Sequence, residues 1–326
     1  MLDTTLLFTT DMHGGLSERR YRRCLEGFIR THHPDLLLDG GDSTGRWNTQ
    51  SGEASELRVL HDLGYAAMAV GNREFHFRPE GMTKKTGDVH PVLLAANLGK
   101  VGDCADVASD ADPSVSGFWP VAPSTVVQCG DSRVGLVGLM SDMRKPQTRL
   151  DKFLSHVFRN KLVDEYTPLL TAVRNQVNRL RDQSDILLLL SHAGLENDVA
   201  LANQDCGIDI ILSGESHSQH PFPHGQQQTA VFHLFSDQRG RFYDYRSGDM
   251  YRPRTRKFVK RRFWEPKTGP NVVAILIRLS RSTGMLRFIA SAHNIITGDV
   301  LRQSEGTLRS GLGLQVDADV HNPMKP

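Results

Sequence analysis

Short apolar runs that alternate with helical patterns are the feature that most restricts what this chain can fold into. Apolar runs of strand length cover 6–10, 35–38 and 66–70. Stretches suited to helices, 21–32 and 53–63, lie between them. Strands that are apolar without alternation are typical of parallel strands covered on both faces. The first part of the sequence therefore predicts βαβ units and an α/β fold.

The rest of the chain continues this pattern and then becomes rich in predicted strands. A hairpin is predicted over 126–139, and a helix begins at Thr167-Pro168, where proline suits the first turn. The polar, Asp-rich segment 99–123 predicts a loop. Further strands are predicted over 185–190, 208–212, 229–235 and 272–279.

Length and composition suit one large domain. The 326 residues are 39% hydrophobic and 23% charged, which allows a sizeable core. The last residues carry no clear periodic pattern. We therefore predict one domain over 1–295 and a loosely ordered C-terminal tail over 296–326.

Charge and cysteine content restrict the partners and the compartment. The formal net charge of +2 argues against a chain-wide nucleic-acid or membrane-surface role. The longest apolar runs are too short to span a bilayer, and the N-terminal residues lack the pattern of a signal peptide. Four scattered cysteines predict reduced thiols rather than disulfides. We therefore expect a cytoplasmic protein with neither a membrane nor a nucleic-acid partner.

Polar residues follow five of the predicted strands at the point where each strand ends. Ligands of open α/β sheets bind outside the carboxyl ends of strands. A mixture of Asp, His, Asn and Glu there suits divalent metals such as Mn, Fe or Zn. One such residue is more often a turn former or a cap, but five strands that share the feature favour a metal site. The candidates are Asp11, His13, Asp42, Asn72, His192, Glu215 and His217.

The order of these residues resembles the calcineurin-like metallophosphoesterases, and most closely their 5′-nucleotidase branch. The motifs are D-x-H at Asp11, G-D at Asp42, G-N-x-E at Asn72, H-x-G at His192 and G-x-x-H at His217. The intervening sequences 63–72, 96–97, 207–214 and 239–241 also resemble this branch, so that the similarity covers roughly residues 4 to 290.

The resemblance implies a four-layer α/β/β/α sandwich, with a catalytic domain over 1–295, and a two-metal site. Three residues would hold the first ion, namely Asp11, His13 and His217. Asp42 would bridge both ions, while Asn72 and His192 would hold the second. The Ala96-Asn97 element implies that Asn97, with Asn72 and Arg73, contacts the substrate.

Three positions depart from the family pattern. Arg73 stands where the family has a histidine that acts as proton donor or charge stabiliser, and His76 stands where the branch has an aspartate that orients it. Glu215 replaces a histidine that binds the second metal. A carboxylate there favours Mn, Fe or Mg over Zn.

The departures leave two functional interpretations. Arginine does not donate a proton at neutral pH but binds phosphoryl oxygens, so Arg73 could stabilise charge while His76 acts as the acid. The protein would then hydrolyse a small phosphomonoester or phosphodiester, with nucleotides among the candidates. In the alternative, Arg73 and Glu215 form a salt bridge that blocks the second metal, and the protein is a non-catalytic binding or scaffold protein.

The basic stretch 251–267, with interleaved aromatic residues, is either a solvated hairpin or a rim that attracts phosphate.

Overall fold

The first strand shows why this chain folds into layers. In β1 (Asp3–Thr9), Leu6 and Phe8 pack into one apolar cluster and Leu7 packs into another. Successive side chains of a strand point to opposite faces. An unbroken apolar run is therefore what a strand needs when both of its faces are covered, as the sequence predicts for β1.

The computed structural model describes most of the chain in several ranges. These are 3–17, 19–44, 56–75, 90–98, 121–140, 167–216, 218–219, 229–233, 242–244, 250–252, 257–259, 273–282, 285–295, 300–309 and 313–321.

The larger sheet has nine strands within the described residues. They are β1, β2 (Leu36–Asp39), β3 (Tyr65–Ala69), β4 (Val92–Leu94), β5 (Val121–Ala122), β15 (Val273–Ser282), β16 (Met285–Asn294), β17 (Val300–Arg309) and β18 (Gly313–His321). The order across the sheet is β18-β17-β16-β15-β1-β2-β3-β4-β5. Its central strands β1, β2 and β3 are parallel, and β15 pairs with β1 in the antiparallel direction.

The second sheet has five strands in the part of the chain that the structure describes. They are β6 (Ser124–Cys129), β7 (Ser132–Met140), β8 (Ile186–His192), β9 (Ile210–Ser213) and β11 (Ala230–His233), in the order β11-β9-β8-β7-β6. The strands β7, β8, β9 and β11 are parallel, whereas β6 and β7 form the predicted hairpin. A small third sheet contains β10 (Ser218–Gln219), β12 (Phe242–Asp244), β13 (Met250–Arg252) and β14 (Lys257–Val259).

Helices cover the outer faces of the two large sheets. The helices are α1 (Arg19–His32), α2 (Glu56–Asp62), α3 (Asn72–Phe75), α4 (Leu169–Leu180) and α5 (Leu195–Ala202). Side chains of α1 and α2 share a core cluster with the larger sheet, and those of α4 and α5 share one with the smaller sheet. A third cluster lies between the sheets. The fold is therefore the predicted four-layer α/β/β/α sandwich.

The C-terminal segment differs from the prediction. We expected a loosely ordered tail over 296–326, but β17 and β18 extend the larger sheet there. The pairing partner explains the difference, because β17 hydrogen-bonds along β16 and buries Leu308 in the core between the sheets. Local sequence does not reveal such a partner.

Other predictions fall partly outside the described residues. This applies to most of the predicted loop 99–123, to Cys104 and to the basic stretch 251–267, of which only strand segments are described. Cys24, Cys129 and Cys206 are free thiols. Within the described ranges, the helices are all too short or too polar to cross a bilayer.

The two large sheets approach each other very closely at Gly138. A Cβ atom added there would lie 2.3 Å from the backbone carbon of Leu94 in the opposite sheet. Gly138 also accepts a backbone hydrogen bond from Ala96 at 2.8 Å, so this strand cannot simply move away.

We predict that Gly138→Ala destabilises the protein by about 1–3 kcal/mol, the usual cost of overpacking. Gly27→Ala in α1 is the matched control, because a Cβ there meets nothing within 4 Å. Removing a helical glycine should stabilise by roughly 0.5–1 kcal/mol. Urea denaturation measures both changes, and a Gly138→Ala variant as stable as the parent would contradict the close sheet contact.

Candidate metal centre

Four of the predicted ligands lie on tight turns after the strands. Asp11 and His13 follow β1, Asp42 follows β2, and Glu215 follows β9. All four have left-handed backbone conformations, with φ values of 55°, 48°, 55° and 71°. Such conformations are uncommon for residues other than glycine and tend to cluster at functional sites. The turns aim these side chains back over the ends of the two sheets.

The structure brings most of the predicted ligands together. Asp11, Asp42, His192 and Glu215 each offer one ligand atom, and these atoms all lie within 4.8 Å of one another. His13 Nε2 lies 3.6 Å from Asp11 Oδ1 and 3.5 Å from Asp42 Oδ2. The larger sheet supplies Asp11, His13 and Asp42, whereas the smaller sheet supplies His192 and Glu215. The cluster therefore exists only because the sheets pack face to face.

His192 is oriented as a metal ligand requires. Its Nδ1 donates a hydrogen bond to the Gly40 carbonyl at 2.7 Å, so that Nε2 is the ring nitrogen that faces the carboxylates. Nε2 lies 2.9 Å from Glu215 Oε2 and 3.5 Å from Asp42 Oδ1. It is fully buried and makes no well-aligned hydrogen bond there. A buried nitrogen aimed at carboxylate oxygens fits a divalent cation between them.

The electrostatics of the cluster also favour a cation. Burial by itself would raise the pKa of Asp42, but the neighbouring His192 and His13 outweigh it and hold that pKa well below its usual value. Burial likewise opposes the charge on His192, yet Asp42, Glu215 and Asp11 raise its pKa well above the usual value. Three carboxylates thus create a negative potential that stabilises positive charge at this point.

Asn72 and Arg73 adjoin the cluster from the start of α3. Asn72 Nδ2 donates to Glu215 Oε2 at 3.2 Å. The Arg73 backbone N–H donates to Asp42 Oδ1 at 2.7 Å, and Arg73 Nε lies 3.3 Å from Asp42 Oδ2. Among ion pairs between described residues, Arg73 therefore pairs with Asp42 rather than with Glu215, the partner that the scaffold interpretation assigns to it.

Glu74 holds the turns after β2 and β3 together. This buried carboxylate accepts hydrogen bonds from the backbone N–H groups of Gly71 at 2.8 Å, Asp42 at 3.0 Å and Thr44 at 3.1 Å. The Thr44 hydroxyl donates a further bond at 3.1 Å. Glu74 belongs to the G-N-x-E motif, which by itself does not indicate what this glutamate does. These hydrogen bonds fix the backbone of Asp42.

Asp39, at the end of β2, is a second buried carboxyl that the sequence analysis missed. It accepts hydrogen bonds from Thr9 Oγ1 and Ser43 Oγ at 2.8 Å and from Gly41 N at 2.9 Å. Burial nevertheless raises the pKa of Asp39 to about 7. The only feature of the sequence that points to Asp39 is that an acidic residue ends an apolar strand. Asp39 joins the turns that carry Asp11 and Asp42.

Gly41 is required by the close approach of the two sheets. Its φ is +98°, and an added Cβ would lie 2.9 Å from both His192 Nδ1 and Gly71 N. A side chain there would push against the ring that carries the ligand atom Nε2. The G-D motif therefore supplies the predicted ligand Asp42 and, because Gly41 has no side chain, the space that the His192 ring needs.

Three predicted site residues stay apart from this cluster or outside the described residues. Both polar atoms of the Asn97 side-chain amide bond the Met140 backbone. Nδ2 donates to the Met140 carbonyl at 2.8 Å, and Oδ1 accepts from the Met140 N–H at 3.0 Å. Asn97 thus joins the ends of β4 and β7, and its role in substrate binding stays a prediction. His76 and His217 fall outside the described residues.

The fold and this constellation of ligands define a known class of protein. The sequence profile of the calcineurin-like phosphoesterases matches residues 4–219. The chain therefore belongs to the calcineurin-like phosphoesterase family, a class of phosphate ester hydrolases. The family predicted from the strand-end motifs is confirmed.

The curated relatives include 5′-nucleotidases. The 5′-nucleotidase of Bos taurus is 28% identical over 238 residues, which cover 66% of this chain and 38% of that protein. An apyrase of Anopheles gambiae is 25% identical over 248 residues, with coverages of 66% and 39%. The chain thus spans less than two fifths of the length of these relatives.

Solved structures share the fold. A 5′-nucleotidase precursor from Thermus thermophilus has a TM-score of 0.57 at 19% identity, covering 96% of this chain and 55% of that one. A calcineurin-like phosphoesterase from Bacillus subtilis has a TM-score of 0.55 at 16% identity, with coverages of 92% and 93%. These similarities confirm the predicted sandwich architecture.

The raised pKa of Asp39 predicts a pH-dependent stability. The unfolded chain releases this proton near pH 3.8 and the folded chain near pH 7. Because the folded state binds the extra proton between these values, stability should fall as the pH rises through this window, on the order of a few kcal/mol in total.

The Asp39→Asn variant has no carboxyl to ionise at this position. Its unfolding free energy should therefore lack the pH-dependent contribution of Asp39. The difference in unfolding free energy between Asp39→Asn and the parent, measured with urea in EDTA, should shift in favour of the variant as the pH rises from about 4 to about 7. Asp62→Asn, an exposed carboxylate on α2, is the control. A difference that is independent of pH would show that Asp39 is ionised throughout.

Proposed function

We propose that the protein is a metal-dependent phosphoesterase that hydrolyses phosphomonoesters or phosphodiesters with two divalent ions at this centre. The observation that carries the proposal is the buried Nε2 of His192, which faces Asp42 and Glu215 without a well-aligned hydrogen bond. Membership in the calcineurin-like phosphoesterase family supports the reaction class.

The described residues divide naturally into two ligand sets around Asp42. Asp42 Oδ2 faces His13, and Asp42 Oδ1 faces His192. We infer that Asp11 and His13, together with His217, hold one ion, that Asn72, His192 and Glu215 hold the other, and that Asp42 contacts both. Divalent ions at such a centre neutralise phosphate charge and make a bound water nucleophilic near neutral pH. Mn, Fe or Mg suits the carboxylate-rich set better than Zn.

Arg73 contributes positive charge beside the centre. Its side chain is 23% exposed, so the guanidinium lies at the boundary between the buried carboxylates and solvent. From there it can bind an oxygen of a phosphoryl group, while its contact with Asp42 orients it. Arginine does not supply the proton that an alkoxide leaving group needs. We assign that role to His76.

Nucleotides are the substrate class that the relatives suggest. A 5′-nucleotidase and an apyrase are among the proteins that share about a quarter of their residues with this chain over the matched region. We therefore propose a nucleotide or a similar small phosphorylated metabolite as substrate, and we retain the prediction of a cytoplasmic protein.

One observation favours a second candidate function. Arg73 Nε lies 3.3 Å from Asp42 Oδ2, so a guanidinium already neutralises the carboxylate that two ions would share. A protein that binds one ion or none, and serves as a binding or scaffold protein, would be consistent with this contact. The number of bound ions distinguishes the two candidates.

We expect about two ions per chain in the parent protein, as in other two-metal sites. Asp42→Asn should lose both ions and phosphatase activity because it removes the shared anion, whereas His13→Ala should mainly weaken one ion. His33→Ala, an exposed histidine at the end of α1, is the control. Elemental analysis after dialysis against Mn²⁺ measures the stoichiometry. Full metal content in Asp42→Asn would refute the bridging assignment.

We expect Arg73 and His76 to affect different substrates. His76→Ala should slow alkyl phosphate esters by roughly 10²–10⁴-fold, the usual contribution of a general acid, and spare p-nitrophenyl phosphate. Arg73→Ala should slow both substrates, by roughly 10²–10³-fold, because it removes charge stabilisation that both transition states need. Comparison of kcat on the two esters separates these roles. Equal losses on both esters in His76→Ala would exclude His76 as the proton donor.

A further inference from the structure

Asp198 is a buried carboxyl beneath the metal centre that neither the motifs nor the proposed mechanism uses. It lies in α5 and has no exposed surface. Its Oδ1 accepts a hydrogen bond of 2.6 Å from Ser191 Oγ. Ser191 directly precedes His192, and its hydroxyl also accepts a bond of 3.1 Å from the Ala193 backbone N–H. Asp198 therefore anchors both chain neighbours of a predicted ligand.

The same carboxyl also faces the strand end that carries Glu215. Burial raises the pKa of Asp198, while the hydroxyls of Ser191 and of Ser213, two residues before Glu215, both lie close enough to lower it. Ser213 Oγ and Asp198 Oδ2 are both buried, and neither makes a well-aligned hydrogen bond. Ser191 and Ser213 are directly opposed in the β8–β9 register. Asp198 thus lies between the last turns of two ligand-bearing strands.

The start of α5 makes a second connection to the same two loops. The Leu195 backbone N–H donates to Ser216 Oγ at 2.7 Å, directly after Glu215. The Gly214 backbone N–H donates to the Ser191 carbonyl at 2.8 Å. The start of α5 and the bond between the two strand ends therefore both link the His192 and Glu215 segments, and Asp198 is a buried polar contact of the helix with Ser191.

We propose that Asp198 is a positioning residue that sets the separation of His192 and Glu215 and thereby the affinity of this half of the centre for a divalent ion. The inference rests on the proposed function, since it assumes that both residues are ligands. Partners outside the ligand shell that orient metal ligands typically contribute roughly 10–100-fold to metal affinity.

The contact with Ser191 and the shape of the side chain indicate which substitution should preserve this role. Burial raises the pKa of Asp198 to about 6. A protonated carboxyl and a carboxamide have the same shape, and each offers both an acceptor oxygen and a donor group. Asp198→Asn can therefore accept from Ser191 through Oδ1 and present Nδ2 toward Ser213. Asp198→Ala removes both contacts.

A control must separate positioning from general support of the fold. Leu201→Ala, also in α5, removes a buried apolar side chain that packs in the cluster beneath the smaller sheet. It should lower the midpoint of thermal unfolding, as core truncations do. It leaves the Asp198–Ser191 contact in place, so metal affinity should not change.

The experiment is titration of the metal-free full chain with Mn²⁺ by calorimetry, with circular dichroism to verify folding. We expect Asp198→Ala to weaken binding by about tenfold or more, Asp198→Asn to bind close to the parent value, and Leu201→Ala to bind like the parent despite lower stability. If Asp198→Ala does not fold, Ser191→Ala removes the same 2.6 Å bond with a smaller change and should show the same loss.

Two outcomes would overturn the inference. Parent-like affinity in a folded Asp198→Ala or Ser191→Ala would show that Asp198 does not position the ligands, even if the parent binds metal as proposed. An equal loss of affinity in Leu201→Ala would assign the effect to general stability. A parent chain that binds no Mn²⁺ contradicts the proposed function itself, and the inference with it.

Discussion

The hydrogen bond from His192 Nδ1 to the Gly40 carbonyl is the contact on which the geometry of the centre depends. It joins the carboxyl end of β8 in the smaller sheet to the turn after β2 in the larger one. It also decides which ring nitrogen faces the carboxylates. Glycine at 41 lets the two sheets approach closely enough for this bond, since a Cβ there would lie 2.9 Å from the ring nitrogen Nδ1.

Buried carboxyl groups around the centre divide into two kinds. Asp11, Asp42 and Glu215 direct their oxygens at one another and at His192, an arrangement that concentrates negative charge. Asp39 and Glu74 instead accept hydrogen bonds from the turn that carries Asp42, and Asp198 accepts one from Ser191, which directly precedes His192. Repulsion within the cluster would spread the turns apart, and these hydrogen bonds oppose that movement. The cost of burial is visible in the pKa values of Asp39 and Asp198, which rise to about 7 and about 6.

The structure shows what the arginine at position 73 contacts in place of the family's histidine. The guanidinium contacts Asp42, and the backbone N–H of the same residue bonds Asp42 as well. A histidine at this position could carry a proton to a leaving group, whereas the arginine brings a permanent charge to the edge of the cluster. Glu215 adds a negative charge on the side of the centre where it contacts His192 and Asn72. Arg73 and Glu215 thus change the formal charge of the centre by equal and opposite amounts, although they contact different residues of the cluster.

The sequence by itself determined the layers and indicated the polar residues that the structure brings together at the candidate centre. Unbroken apolar runs such as the one in β1 are needed wherever both strand faces are covered, and polar residues after such strands must gather at one edge of the sheet. Only the tertiary structure decided that β17 and β18 extend the sheet, since strand pairing depends on a partner that local sequence does not name. It also decided that Asn97 bonds Met140 and that Asp39 and Asp198 support the turns. The physical reason is that burial and packing, not residue type, decide whether a carboxyl binds a metal or holds the residues that do.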